Sequence, residues 1–140
     1  MNFLNHLERV QKPGRYIGGE WNQTVKNWAD IDIKFLISYP DIYEIGMSNQ
    51  GVKVIYELLN SRKDVLCERC FAPWRDFEIY LRQLNQPLYS LESKTPLNQF
   101  DVVAFTLQHE LNYTNILTIL DLGRLEIWQK DRNEQHPLII

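Results

Sequence analysis

The sequence predicts an α/β domain with a mostly parallel sheet flanked by helices. Three observations carry that prediction. Apolar, β-branched runs alternate with stretches of helical spacing, in the order βαβαβ(β)αβ. Proline and glycine punctuate the junctions between them. The most apolar run, "FDVVAFTL" (100–107), shows no polar alternation, as expected of an interior strand covered on both faces.

Taken in order, residues 1–12 read as a short helix with Phe3, Leu4, Leu7 and Val10 on one face, and Pro13-Gly14 as its stop. "RYIGGEWN" (15–22) reads as a loop or short irregular strand, and "TVKNWAD" (24–30) as a connector with one buried tryptophan. Residues 31–39 form the first strand, with Ile33, Phe35 and Ile37 on one face and Pro40 as its end. Val52, Ile55, Tyr56, Leu58 and Leu59 make the stripe of a helix over 49–62. "VLCERCFA" (65–72) is a second strand. A helix over 73–85 follows, with proline at its start and Trp74, Phe77, Tyr80, Leu81 and Leu84 at helical spacing. "PLYSLES" (87–93) is a candidate strand, as is "LEIWQK" (125–130). Residues 112–124 form a helix with Gly123 near its carboxyl end. "HPLII" (136–140) opens another apolar run. The organisation expected is an N-terminal extension over 1–30 and an α/β domain over 31–140. There is no internal repeat and no low-complexity segment.

A chain of 140 residues with 44% hydrophobic residues can bury a core without staples. Fifteen basic and 18 acidic residues give a formal charge of -3. That lacks the basic stripe of a nucleic-acid footprint. No apolar run reaches the ~18 residues of a membrane helix, and the N-terminus is too polar for a secretory signal. The expectation is a cytoplasmic protein with no nucleic-acid and no membrane partner.

In open parallel sheets, ligands bind beyond the carboxyl ends of the strands. Two polar loops fall there. The first supplies Tyr43, Glu44, Gly46, Met47, Ser48 and Gly51 as candidate binding residues, and the second supplies Thr106 and Gln108. Helix capping accounts for much of this polarity: Ser48 or Asn49 for the second helix, Asn112 for the last. The Gly46/Gly51 pair permits close backbone approach, but it is neither G-x-G-x-x-G nor a P-loop. Cys67 and Cys70 form a C-x-x-C on a strand, where residues three apart face opposite ways, so they read as structural thiols and not as a metal pair. No metal-ligand set is read from the sequence. Trp21, Trp28, Trp74 and Trp128 read as core or interface aromatics.

Five segments stand in an order that points to a family: "KPGRYIGGEWN" (12–22), "YPDIYEIGMSNQG" (39–51), "FAPWRDFE" (71–78), "PLYSLES" (87–93) and "FDVVAFTLQHELNYTNIL" (100–117). From about residue 12 to 140 the chain resembles the N-terminal, B12-binding-like region of radical S-adenosylmethionine (SAM) proteins, ahead of the radical core. The resemblance implies a Rossmann-like, cobalamin-binding-type fold, truncated at its carboxyl end. In full-length relatives the core carries C-x-x-x-C-x-x-C, whose cysteines hold a [4Fe–4S] cluster with SAM on the remaining iron. This sequence has no such motif, so the resemblance implies cluster and SAM only in a full-length parent. Cobalamin is possible but its site is incomplete. The loop "DIYEIGMSNQG" (41–51) lacks the histidine of D-x-H-x-x-G, and "HPLII" stops before the Gly-Gly turn that follows the corresponding strand in such domains.

The reading is therefore an accessory domain, catalytically silent alone, whose partner is a radical SAM core in the same parent chain or separately encoded. The alternative is a stand-alone module for a small ligand or a protein, with self-association through an exposed sheet edge. A third reading, an enzyme using Glu44, His109 and Glu110 as acid–base groups, has no spacing to bring the three together.

Overall fold

The structure is a computed structural model in which residues 7–140 are described. Phe3 and Leu4 of the expected first helix lie outside them. Leu7 and Val10 are buried in the main core.

Four strands form one parallel sheet: β1 (Ile33–Tyr39), β2 (Val65–Phe71), β3 (Val102–Phe105) and β4 (Leu138–Ile139), in the spatial order β2-β1-β3-β4. Phe35 lies opposite Cys67 on one side and Val102 on the other, and Ser38 lies opposite Cys70 and Phe105. The helices are α1 (Gly14–Ile17), α2 (Tyr43–Ser48), α3 (Gln50–Asn60), α4 (Arg75–Gln83) and α5 (Tyr113–Leu122). The predicted fold class holds: a parallel α/β sheet flanked by helices, consistent with a Rossmann-like fold. No helix among the described residues is long and apolar enough to cross a membrane.

Strand alternation sorts the core into two layers. Leu36, Cys70 and Val103 face Phe77 and Leu81 of α4 and Ile119 and Leu120 of α5. Ile37, Tyr39, Cys67 and Phe71 face Val52 and Tyr56 of α3. One helix on one face and two on the other is what right-handed crossovers require once β2 and β3 lie on opposite sides of β1. Each fully buried side chain such as Phe77 or Leu81 contributes roughly 1.5–3 kcal/mol.

The two sheet edges differ. At β2 the outward main-chain groups are satisfied from outside the sheet. Asn60 donates to the Cys67 carbonyl at 2.9 Å and accepts from its N–H at 3.0 Å. Lys26 Nζ donates to the Val65 carbonyl at 2.5 Å, Glu92 accepts from the Arg69 N–H at 2.7 Å, and the Leu91 N–H donates to the Arg69 carbonyl at 2.7 Å. At β4, the N–H groups of Leu138 and Ile140 donate to the carbonyls of Asp101, just before β3, and of Val103, which turns the main chain of Ile139 outward. Leu138 and Ile140 are both exposed.

Several local expectations are corrected. Residues 43–48, read as loop, form α2, which packs Gly46 beneath the Phe71 ring. Residues 87–93 make only an isolated antiparallel bridge, Tyr89 to Pro96, because the backbone there is drawn to β2 and to the Leu122 carbonyl. Residues 125–130 are not a strand; a 3-10 turn over Gln129–Asp131 follows α5, and Arg132 donates to the Glu126 and Ile127 carbonyls. In β3 only Val103 is fully buried, because α3 covers the β1–β2 side of its face and leaves Val102 and Ala104 half open. Of the four tryptophans, Trp21, Trp74 and Trp128 are exposed, and Trp28 alone packs against the core.

Candidate functional site

Strand order 2-1-3 reverses direction between β1 and β3, and in such sheets the crevice beyond that reversal is the usual ligand site. Both polar loops arrive there, as the sequence predicts. Much of their polarity is spent internally. Pro40 ends β1, and its carbonyl accepts from Asn112 Nδ2 at 2.8 Å and Asn115 Nδ2 at 2.9 Å. The Thr106 N–H donates to the Ser38 carbonyl at 3.0 Å, and the Ala72 N–H to the Asp41 carbonyl at 2.9 Å. The ends of β1, β2 and β3 are thereby tied together. Two buried oxygens at this seam have no hydrogen-bond partner among the described residues, Thr106 Oγ1 and Asn112 Oδ1.

The candidates on the first loop meet the N-terminal segment. Tyr43 donates to Glu20 Oε1 at 2.5 Å, and burial pushes its phenol up to about 12. Glu44 pairs with Arg15 at 2.9 Å and with Lys12 at 3.2 Å. The Arg15 hydrogen bonds hold the Glu44 carboxyl down at about 2. Gly46 permits a close approach, since a Cβ there would stand 2.2 Å from the Phe71 ring. Met47 packs half-buried against the α3 core layer, and Ser48 donates to the Ile45 carbonyl at 2.8 Å. Asn49, not Ser48, caps α3, accepting from the Val52 N–H at 3.0 Å. Gly51 is exposed in the first turn, 3.1 Å from that capping oxygen when a Cβ is built on it. On the second loop Gln108 is exposed. Asn112 makes no side-chain cap, because its amide is committed to Pro40 across the crevice.

Glu44, His109 and Glu110 are not joined by any hydrogen bond or ion pair among the described residues, and Glu44 is already occupied by Arg15. Cys67 and Cys70 lie in opposite core layers, each thiol pushed by burial up to about 12. That makes both poor thiolates and keeps them from sharing a ligand. No group of three or more His, Cys, Asp or Glu side chains able to hold a metal occurs among the described residues.

Sequence reasoning missed three features. Asn115 joins Asn112 on the Pro40 carbonyl. Arg15, although buried, is the partner of Glu44. Large apolar side chains stand exposed on the segments that follow or brace the strand ends: Ile17, Trp21, Ile45, Trp74, Leu107 and Leu111. Trp21 is 104% exposed, in the segment behind the left-handed Gly18-Gly19 turn. The "IGGEW" pattern is the one signal that could have marked it: a glycine turn presenting an aromatic side chain.

The strand-end crevice of this parallel α/β domain is thus clamped by its own amides and bordered by exposed apolar side chains. The family described as radical SAM proteins, N-terminal, matches residues 51–140, more than half of the chain. The chain belongs to that family, the N-terminal regions of radical SAM proteins. No curated protein and no solved structure matches it.

Proposed function

We propose that this chain is an accessory domain that does not cleave SAM by itself and that docks its strand-end surface on a radical SAM core. The observation that carries the reading is the crevice itself. Its polar groups are used on one another at Pro40, Glu44 and Tyr43, while Trp21, Leu107 and Leu111 project outward. Exposed aromatic and aliphatic anchors around a polar framework that is mostly paired internally, with Thr106 Oγ1 and Asn112 Oδ1 left over, favour a protein partner over a small solute. Family membership supports a core as that partner. The two cysteines in the sequence are fewer than the three that a radical-type [4Fe–4S] cluster takes from its protein.

The residues present do not fit cobalamin. The loop over 41–51 contains no histidine, and the Asn112 and Asn115 amides occupy the strand-end carbonyl that a ligand entering the crevice would meet. Cobalamin binding is expected to be weak or absent.

The test mixes the purified chain, after anaerobic iron–sulfur reconstitution, with a radical SAM core of the same family. The chain alone should give no 5′-deoxyadenosine above background. It should co-elute with the core, and Trp21→Ser with Leu111→Ser should abolish co-elution while leaving the fold intact. SAM cleavage by the chain alone, or co-elution unaffected by the double variant, would overturn the reading.

A second reading has its own observation. Among the described residues the β4 edge is unpaired while the β2 edge is blocked group by group, so β4 is where another strand would add. Self-association through this edge would show as a discrete dimer in size-exclusion chromatography with light scattering.

A further inference from the structure

Away from the strand ends, at the outer edge of β2, an open cavity of about 240 Å³ is lined by Thr24, Val25, Trp28, Leu66, Glu68 and Ser93, among others. Glu68 is the residue there that the fold leaves unexplained. It is 2% exposed. Even so, it belongs to no ion pair among the described residues. Its Oε2 accepts from the Ser93 N–H at 3.3 Å and from the Ser93 hydroxyl at 2.7 Å. Its Oε1 has no donor among the described residues and is not sealed in the interior, so it opens on the cavity.

The neighbouring charged groups hydrogen-bond to other partners, while Lys26 also stands on the cavity wall and the Lys94 charge acts on Glu68 through space. Glu92, also on the cavity wall, is neutralised by Arg69 at 2.6 Å. Lys26, on the cavity wall, donates its ammonium hydrogens to three main-chain carbonyls, those of Asn60, Arg62 and Val65. Lys94 donates to the Leu91 carbonyl. A carboxylate on a largely buried side chain with one oxygen lacking a protein donor is incompletely compensated, and a cationic donor is the strongest way to complete it. Beside it, Leu66, Val25 and Trp28 offer an apolar wall.

The geometry points to a binding site for a short primary amine, its ammonium donating to Glu68 Oε1 and its alkyl chain lying along Leu66 and Trp28. Lysine-like stems with ammonium heads match this division into apolar wall and acidic end. The site is separate from the docking surface and does not depend on it.

The test uses the full chain, ¹⁵N-labelled, titrated at neutral pH with n-butylamine and, in parallel, with n-butanol. The expected result is saturable shifts of the Trp28 indole and Ser93 amide signals with the amine, and none with the alcohol. Glu68→Gln keeps the volume and an acceptor for Ser93 but removes the charge. It should weaken amine binding by about tenfold or more, as loss of a charged hydrogen bond does. Val25→Trp is a second variant at a position 80% exposed, where folding is not at stake, and it should fill the cavity and abolish the shifts. No saturable response to n-butylamine, equal response to n-butanol, or unchanged affinity in Glu68→Gln would overturn the proposal and leave Glu68 completed by water.

Discussion

Single side chains decide where charge is tolerated inside this domain. Arg69 is 1% exposed. It donates to Glu92 at 2.6 Å, donates to Asn22 at 3.2 Å, and lies 4.1 Å over the Tyr56 ring. One of its nitrogens, Nη2, has no partner among the described residues. The pair is therefore already short of one bond, and removing its anion leaves a buried guanidinium uncompensated. Glu92→Gln should destabilise the fold by about 3–5 kcal/mol, read from urea denaturation. A loss below about 1 kcal/mol would mean that the pair is hydrated in solution. Glu44 tests a more exposed pair. Its carboxyl is held at about 2 against an ordinary 4.5, first by the Arg15 hydrogen bonds. Because the folded value lies below the unfolded one, the contribution is complete above pH 4.5 and is lost as pH falls toward 2. The side chain is 42% exposed, so solvent screens the pair and its worth is about 1 kcal/mol at most. Glu44→Gln should lower stability at pH 7 by that amount and flatten the loss between pH 4.5 and 2.

Helix ends show how packing overrides a residue's habitual role. α5 closes with a Schellman pair: the Arg124 N–H donates to the Asp121 carbonyl at 3.1 Å and the Leu125 N–H to the Leu120 carbonyl at 2.9 Å. The left-handed residue is Arg124, at φ 55°, while Gly123 is helical at φ −74°. Gly123 is there for space, since a Cβ would meet Leu97 Cδ2 at 2.8 Å and the Ile119 carbonyl at 2.9 Å. α4 ends in the same way on Asn85, at φ 51°, and Arg124 donates to the Asn85 carbonyl at 2.5 Å, so the two turns are joined. Gly123→Ala should therefore cost about 1–3 kcal/mol although its backbone is ordinary. Arg124→Gly relieves a left-handed arginine but loses the tie to Asn85, so it should stay within about 1 kcal/mol of wild type. The reverse order in thermal denaturation would contradict this account.

At the scale of the sheet the described residues are asymmetric: among them the β2 edge is finished, the β4 edge carries no further strand, and one face is covered by a single helix. Ile139 provides a clean probe, because its N–H points away from β3 and takes no part in the ladder. Ile139→Pro should leave secondary structure intact and abolish any concentration-dependent association through β4, seen by light scattering. If association persists, the contact lies elsewhere, and the apolar side chains around the strand ends are the next surface to change.

What was legible in the sequence was what repeats locally. Alternation in residues 31–39 and 65–72, and the helical stripes of 49–62 and 73–85, gave β1, β2, α3 and α4 because period and burial coincide there. The opposite facing of Cys67 and Cys70 followed from strand geometry alone. Strand order gave the site its place, but its occupancy was not readable. That Asn112 would turn from capping to the Pro40 carbonyl, or that Glu44 would be taken by Arg15, depends on residues 72 and 29 positions apart. The candidate strands at 87–93 and 125–130 failed for the same reason: their backbones found nearer partners in β2, α5 and Arg132. The sequence by itself determined the alternation of elements and the two faces of each strand, since these follow from backbone periodicity. Only the tertiary structure decided which polar groups remain free at the strand ends, because hydrogen-bond partners are chosen by proximity in space and not by spacing along the chain.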